Sequence, residues 1–351
     1  MRLDEFDYEL PEGLIAQYPP ARRGNSRLIL LDRDRDEVRE TTFSNFTRYL
    51  MEGDIVVVNE TKVIPARIFG RKRTGGKIEI FLVKRTGEGE WLSMLRPSRR
   101  VRPGDSLLVG DEGYEVVVRD RTAGGEWRVI LPGDISEDDF MERFGHVPLP
   151  PYIKRGDDTD DRNRYQTIYA KREGSVASPT AGLHFNDEIL RMMRSRGVTL
   201  LPLTLHVGPG TFRPLADETV ENNTLPPEYV MIKEENWREI VEARELGRRV
   251  IAVGTTTTRA LEAIAAGGLM EQERLELEDG AFTAGWTDLF IYPGFVFRVI
   301  DSLLTNLHLP RSSLLLLVAA FASRDKILET YKWAIERRFR FYSYGDVMFI
   351  R

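Results

Sequence analysis

The sequence predicts an α/β fold: a mixed-sheet α/β domain interrupted by an inserted small antiparallel β-barrel domain. Three observations carry this. Strand-like and helix-like stretches alternate along most of the chain, the pattern of helices packed on a mixed sheet. Between about residues 61 and 133 the alternation stops, and short runs rich in Val, Ile, Leu and aromatics follow one another across glycine turns with no helical period. The charge shifts in the same place. From Lys62 to Gly104 twelve Lys/Arg stand against three acids, in a chain of 351 residues with a net charge of -5. The expected division is an α/β domain from residues 1–60 and 154–351, with the barrel inserted at 61–153.

The elements follow in order. "RLILLDRD" reads as a strand, "SNFTRYL" as a short helix and "DIVVVNE" as a buried strand. The barrel strands are expected in "VIPARIFGRK", "KIEIFLVKRT", "EWLSMLRPS", "DSLLVGD", "YEVVVRDR" and "EWRVILPG", with turns such as "TGGK", "TGEGE" and "TAGGE". "ISEDDFMERF" is a short helix leading into a Pro- and Asp-rich connector. "NDEILRMMRSRG" is a helix with clear ends. Asn186 is its N-cap, Asp187 and Glu188 favour the positive helix end, Phe185 and Leu190 form a staple, and Gly197 closes it. Then "VTLLPLTLHV" is a strand, "EENWREIVEARELG" a helix, "RVIAVG" a strand and "TTTTRALEAIAAGG" a helix. "DLFIYP" is a strand, "RSSLLLLVAAFAS" a buried helix, "RDKILETYKWAIERRF" an amphipathic helix and "RFYSYGDVMFI" a closing strand.

Composition narrows the function. Hydrophobic content of 42% and charged content of 30% are ordinary for a folded chain. There is no cysteine, which excludes disulfides, thiolate catalysis and Cys-bound zinc. The acidic N-terminus lacks the basic segment and apolar run of a signal peptide, and "LLLLVAAFA" is far shorter than the roughly 20 residues that span a bilayer. A cytoplasmic location and no membrane partner are expected.

Three of the four histidines lie in turns rich in Gly, Thr and Pro: "PTAGLHF" (His184), "LHVGPGTF" (His206) and "TNLHLP" (His308). One such histidine is ordinarily a turn residue satisfied by backbone; three in a chain this poor in histidine suggest chemistry, because neutral imidazole serves as a general base near pH 7. No metal site is expected, since no helical His-x-x-x-His spacing occurs. "VIAVGTTTTRALEA" sets a glycine and four threonines between a strand and a helix. It is either a Thr-rich cap or an anion site suited to a carboxylate or ribose, and it lacks the lysine of a phosphate-binding loop. In "LHVGPGTFRP", Gly208 and Gly210 allow backbone to approach a ligand closely. Asp288, Asn306 and His308 are polar groups beside apolar runs and need partners or a function. "GRKRTGGK" and "LRPSRRVRPG" are basic turns of the barrel, solubility loops or contacts to a phosphate backbone. "RGDDTDDR" lacks the glycine and terminal Glu of a calcium loop.

"GSVASPTAGLHF", "TLHVGPGTFRPL", "AVGTTTTRALEA", "TDLFIYPGFVFRVIDSLLTNLHLPRSSLLLLVAAFAS" and "FYSYGDVMFI" resemble the S-adenosylmethionine:tRNA ribosyltransferase-isomerase family of the queuosine pathway. "FDYELPEGLIAQYP", "VVVNETKVIPARIFG" and "LPPYI" extend the resemblance over almost the whole chain. Departures occur at Ser178 and Pro209, where the family usually has Ala, and at Asn223, Pro226 and Pro227, where it often has a segment with His and Ser. The resemblance implies an enzyme that moves the ribosyl part of S-adenosylmethionine onto 7-aminomethyl-7-deazaguanine in tRNA. Adenine and methionine leave, and epoxyqueuosine remains at the anticodon wobble position. S-Adenosylmethionine is then a consumed co-substrate, and no recycled cofactor is needed. The implied catalytic residues are His184, His206 and Asp288, with His184 or His206 as base. Implied substrate contacts are Thr180, Gly208, Gly210, Thr211, Gly254, Thr255, Thr256, Thr257, Arg259, Asn306 and His308. The implied RNA contacts are Arg71, Lys72, Arg73, Arg96, Arg99, Arg100 and Arg102 to phosphates of the anticodon stem-loop, with Tyr152 and Tyr165 stacking on bases. Two rivals remain on residues alone: a methyltransferase using the same co-substrate, and an RNA-binding protein without catalysis.

Overall fold

The structure is a computed structural model and describes residues 1–35, 37–212 and 214–351. Among these residues ten strands form one mixed sheet. Its order is Met270–Leu277, Gly280–Thr287, Glu228–Lys233, Thr199–His206, Ile55–Asn59, Val250–Val253, Ser302–Asn306, Val347–Ile350, Arg27–Asp32 and Glu37–Thr42. The middle strands are apolar without alternation because both faces are covered. "IVVVN", "VIAV" and "SLLTN" are buried at every position. On one face Ile55, Val57, Val250, Ala252 and Leu303 pack with residues of the helices Glu234–Glu245, Thr255–Ala265, Ser313–Ala322 and Arg324–Glu336. On the other, Val56, Val58, Ile251, Val253 and Leu304 pack with Phe43 and Phe46 and with Ile189 and Met193 of the helix Asp187–Ser195. That helix has the ends its sequence predicts: the Asn186 side chain accepts from the Ile189 amide at 2.9 Å, and Gly197 has φ +71°.

A second sheet closes on itself. Arg67–Lys72, Lys77–Gly87, Glu90–Arg96, Trp127–Ile130, Tyr114–Arg121 and Ser106–Val109 pair in that order, and the last returns to the first through Gly70 and Val109. The alternating residues Ile78, Ile80 and Leu82 fill its interior with Trp91, Val116, Val118 and Trp127. The helix Glu137–Phe144, N-capped by Ser136, plugs one side with Phe140 and Met141. The fold class read from sequence is therefore the observed one. Between barrel and sheet, Thr61–Val63 and Arg172–Ser175 form a short parallel pair.

Five strands of the large sheet, Glu37–Thr42, Glu228–Lys233, Met270–Leu277, Gly280–Thr287 and Ser302–Asn306, have no counterpart in the sequence reading, and two expected elements differ from it. "DLFIYP" is not a strand: after Gly280–Thr287 the chain leaves the sheet, and its backbone turns to side-chain partners. The Leu289 amide donates to Thr287 Oγ1 at 3.2 Å, and its carbonyl accepts from Arg259 Nε at 2.9 Å. The closing strand is only Val347–Ile350, because buried Asp346 accepts from the amides of Arg27 and Arg340 and holds the preceding residues in a turn. Among the described residues no helix is long and apolar enough to cross a membrane.

Fully buried Glu262 anchors the segment after "DLFIYP". Its carboxylate accepts from the amides of Arg298, Val299 and Ile300 at 2.7, 3.0 and 3.1 Å, and Ile300 leads directly into Asp301 and the strand Ser302–Asn306. Glu262→Ala strands the buried amides of Val299 and Ile300, each worth about 1–3 kcal/mol, and frees the more exposed amide of Arg298. A melting temperature several degrees below that of the parent chain is expected by calorimetry; an unchanged value would mean that the segment finds other acceptors.

Candidate active site

Four neighbouring strands, Thr199–His206, Ile55–Asn59, Val250–Val253 and Ser302–Asn306, run parallel to one another. Their carboxyl ends present His206, Asn59, Gly254 and Asn306 along one edge, the place where open α/β sheets bind ligands. A cleft of about 1590 Å3 opens there, between this edge and the barrel. Lys84, Arg85, Trp91 and Glu137 line its barrel side; His206, Gly208, Thr211 and Arg259 line the sheet side. A slot of about 40 Å3 adjoins it, sharing Val207, Thr211 and Leu314, and is lined by Ser178, Thr180, Gly254, Thr255, Thr256, Asn306 and His308. This slot has room for a carboxylate or a few water molecules.

The three histidines are not equivalent. His184 is 2% exposed and lines neither cavity. The Thr180 hydroxyl donates to Asn306 Oδ1 at 2.8 Å, Asn306 Nδ2 donates to His184 Nε2 at 3.2 Å, and His184 Nδ1 meets Ser26 Oγ at 2.6 Å. That relay assigns the proton to Nδ1 and needs a neutral ring. Burial, with smaller repulsion from Arg340 and Arg23, pushes the His184 pKa down to about 3. His308 is buried, shares a 2.8 Å hydrogen bond through Nε2 with Thr305 Oγ1, and is lowered to about 3 by burial. His206 alone is half-exposed and faces the large cleft. Its Nδ1 pairs with Thr61 Oγ1 at 2.8 Å, and burial followed by Arg172 lowers its pKa to about 4. Its ring lies so close to Gly174, which has φ +136°, that a Cβ there would stand 2.9 Å from Nε2.

Of the four threonines in this turn two face the slot and two do not, and none caps the helix with its side chain. Gly254 has φ +93°, which favours glycine, and begins the helix Thr255–Ala265. Thr257 and Thr258 turn back to the carbonyls of Val253 and Gly254 at 2.7 and 3.1 Å and so face away from a ligand. Thr255 and Thr256 line the slot. Among the described residues the buried hydroxyls of Thr256 and Ser178 have no hydrogen-bond partner, which marks the slot as a place for polar ligand atoms. The glycine turn is held by a residue the sequence reading missed. Glu228, 4% exposed, accepts from the Gly208 amide at 3.0 Å and Thr211 Oγ1 at 2.8 Å, and pairs with Arg259 Nη1 at 2.6 Å. Arg259 Nη2 is left without a partner among the described residues, beside the cleft. An acid opening the otherwise apolar strand "EYVMI" was the available signal. Arg213, inside the same motif, lies outside the described residues, while Gly210 packs against Pro226.

Other expected residues lie elsewhere. Asp288 is exposed and lines neither cavity. Tyr165 is fully buried edge-on to Tyr344, so its expected role in stacking on a base is withdrawn: no face reaches the solvent. Tyr152 borders the slot, against Tyr342 and hydrogen-bonded to Ser343. Arg71, Arg73, Arg96, Arg99, Arg100 and Arg102 are exposed, whereas Lys72 pairs with Asp105 at 2.8 Å. These basic turns sit at the end of the Lys77–Gly87 hairpin opposite the cleft. Seven residues separate Lys77 from Lys84, about 23 Å of strand.

The geometry is that of an α/β fold with a candidate ligand site at the strand ends and a second wall supplied by the barrel. The family model described as "Queuosine biosynthesis protein" matches residues 3–350, and the chain belongs to that family. The S-adenosylmethionine:tRNA ribosyltransferase-isomerase of Halothermothrix orenii is 47% identical over 351 residues, and that of Aquifex aeolicus 47% over 350, each covering 100% of both chains. A crystal structure of S-adenosylmethionine tRNA ribosyltransferase from Thermotoga maritima superposes with a TM-score of 0.55 at 36% identity, covering 99% of this chain and 100% of that one.

The lowered histidines set a pH dependence. All three bind protons more readily unfolded, near 6.5, than folded, so their stability contribution is complete above that value and is lost as pH falls toward 4 and then 3. Melting temperature should drop between pH 6.5 and 4.5. His184→Gln should flatten that slope by up to about 1.4 kcal/mol per pH unit. Parallel curves for the two proteins would show that His184 does not carry the linkage.

Proposed function

We propose that this chain transfers and isomerises the ribosyl moiety of S-adenosylmethionine onto 7-aminomethyl-7-deazaguanine in tRNA, giving epoxyqueuosine-tRNA with release of adenine and methionine. The observation that carries the reading is the adjacency of two cavities, a hydroxyl-lined slot at a helix N-terminus and the cleft that His206 faces, in a chain of this family. The slot takes the carboxylate or a ribose hydroxyl of the co-substrate, against Thr255, Thr256, Ser178 and Thr180. The cleft takes the modified base of the RNA. No metal or recycled cofactor is part of the proposal.

His206 is the base. It is neutral at pH 7, its Nδ1 side is fixed by Thr61, and its other edge faces the cleft. The co-substrate's sulfonium acidifies the neighbouring 5′-carbon, and His206 takes that proton. The ribose ring opens as adenine leaves, the substrate amine attacks, and the epoxide closes as methionine departs. His184 is a positioning residue, acting on the slot through Asn306 and Thr180. The barrel, residues 61–153, lays the phosphates of an anticodon stem-loop toward Arg71, Arg73, Arg99, Arg100 and Arg102.

The reaction is tested by incubating the full chain with S-adenosylmethionine and tRNA carrying the deazaguanine. Adenine and methionine should appear together; S-adenosylhomocysteine instead would establish methyl transfer. His206→Gln should slow adenine release by roughly 10²–10⁴-fold, the usual contribution of a general base, with tRNA affinity changed less than about threefold. Turnover at the parent rate would remove His206 from the mechanism.

Neutralising Arg71, Arg73, Arg99, Arg100 and Arg102 together should weaken tRNA binding and flatten its dependence on salt by roughly 0.7–0.9 per lost phosphate contact. An unaltered salt slope, measured by fluorescence anisotropy, would place the phosphates on another surface.

A further inference from the structure

The sheet side of the cleft carries a feature that the reaction above does not use. On neighbouring strands His206 stands opposite Tyr229, Tyr229 opposite Trp286, and Trp286 opposite Met270. Residues directly opposite in a sheet share a face, so these four side chains form one rung across the strands. All four line the cleft. The His206 and Tyr229 rings are nearly parallel, 14° apart with centroids at 6.2 Å. Trp286 meets Tyr229 edge-on at 5.2 Å, and Lys84 of the barrel stands 4.0 Å from the indole centroid. The surrounding edge strand "MEQERLEL" is otherwise largely polar and exposed, so the rung is an isolated aromatic strip.

We propose that Tyr229, Trp286 and Met270 form a stacking shelf for unpaired nucleobases of the RNA substrate, continuing from the base that reacts at His206. This rests on the function proposed above. Aromatic faces stack on any base without reading its sequence, as a substrate loop with splayed bases requires. The rung crosses four strands, about 14 Å at the usual spacing, and the cleft exceeds the roughly 300–1,000 Å3 of small-molecule pockets. The co-substrate's single adenine would leave much of it uncovered. Charge orients the RNA. Glu88, Glu126, Asp134 and Asp138 line the barrel side of the cleft; of its cations Arg85 is already paired with Glu137 at 2.6 Å and Lys84 lies over the Trp286 ring. Phosphates are disfavoured inside, so bases point in and the backbone stays out.

The test uses the full chain with Trp286→Leu, which keeps apolar bulk but no ring, Tyr229→Leu, and Trp286→Phe, which restores a ring. KM for tRNA, KM for S-adenosylmethionine, and binding of a fluorescent anticodon stem-loop are measured, with melting curves to confirm folding. The Leu variants should each weaken stem-loop binding and raise KM for tRNA about tenfold or more, the effect of one lost base–aromatic stack. KM for S-adenosylmethionine should stay within about twofold, and Trp286→Phe should recover most of the loss. A rise in KM for S-adenosylmethionine with tRNA binding unchanged would assign the rung to the co-substrate's adenine and overturn the proposal. No change in either, in folded variants, would make the rung structural and also overturn it. If the parent chain turns over no tRNA, the reaction proposed above fails, while stem-loop binding still decides the shelf.

Discussion

The site depends on one constraint: four parallel strands end side by side, and their carboxyl ends cannot all be apolar. Three of these strands are buried at every position, so the polar groups they carry gather toward the ends. There Asn59, His206, Gly254 and Asn306 emerge within one row. Their polar atoms must find partners or a ligand, because unpaired polar groups are costly in so dry a place. Asn59 is satisfied by its own neighbours: its side chain donates to the Leu205 carbonyl and accepts from the amides of Leu205 and Thr61. Asn306 is satisfied by Thr180 and His184. Ser178 and Thr256 are not, and they face the slot. The pattern of satisfied and unsatisfied atoms thus separates scaffold from binding surface.

The same logic explains Glu228. A carboxylate this deep is tolerated only with strong partners, and it has three: an amide, a hydroxyl and a guanidinium. Together they fasten the 208–211 turn to the helix Thr255–Ala265, which carries the threonines of the slot. The floor of the cleft and the start of the helix are therefore one hydrogen-bonded unit. Removing either partner would leave the other buried and charged, a larger cost than losing a surface pair.

Much of this was legible in the sequence, and the failures have physical causes. The barrel announced itself through short apolar runs separated by glycine turns with no helical period, and in "KIEIFLV" the residues do alternate between inside and outside. The Asn186 cap was local chemistry and therefore readable. "DLFIYP" was misread because its apolar residues pack against the main core from a non-strand segment, and periodicity cannot tell that from a short buried strand. The edge strand Met270–Leu277 was invisible, since an exposed outer strand has a polar sequence. Among the histidines the turns drew equal attention to three, but only tertiary burial distinguishes His206 from His184 and His308. Glu228 matters through partners 17 to 31 residues away and Thr61 through one 145 residues away, which no local pattern encodes.

The place where the barrel is inserted follows from the same row of strand ends. The chain leaves the sheet after Asn59 through Thr61–Val63 and comes back through Arg172–Ser175, and these two segments pair in parallel as a neck. Both strands of the neck touch His206: Thr61 by a hydrogen bond to Nδ1, Gly174 by packing under the ring. Arg172 of the same neck also depresses the histidine's basicity and pairs with Glu60 at 3.1 Å. The imidazole that faces the cleft is thus oriented from the connection to the barrel, while burial does most to lower its basicity and Arg172 adds to it. A residue at a strand end has few fixed neighbours of its own, and an insertion at the adjacent strand end supplies them. In this fold the barrel walls one side of the cleft while its neck sets the ring on the other, so the two halves of the site are joined at the residue that faces both.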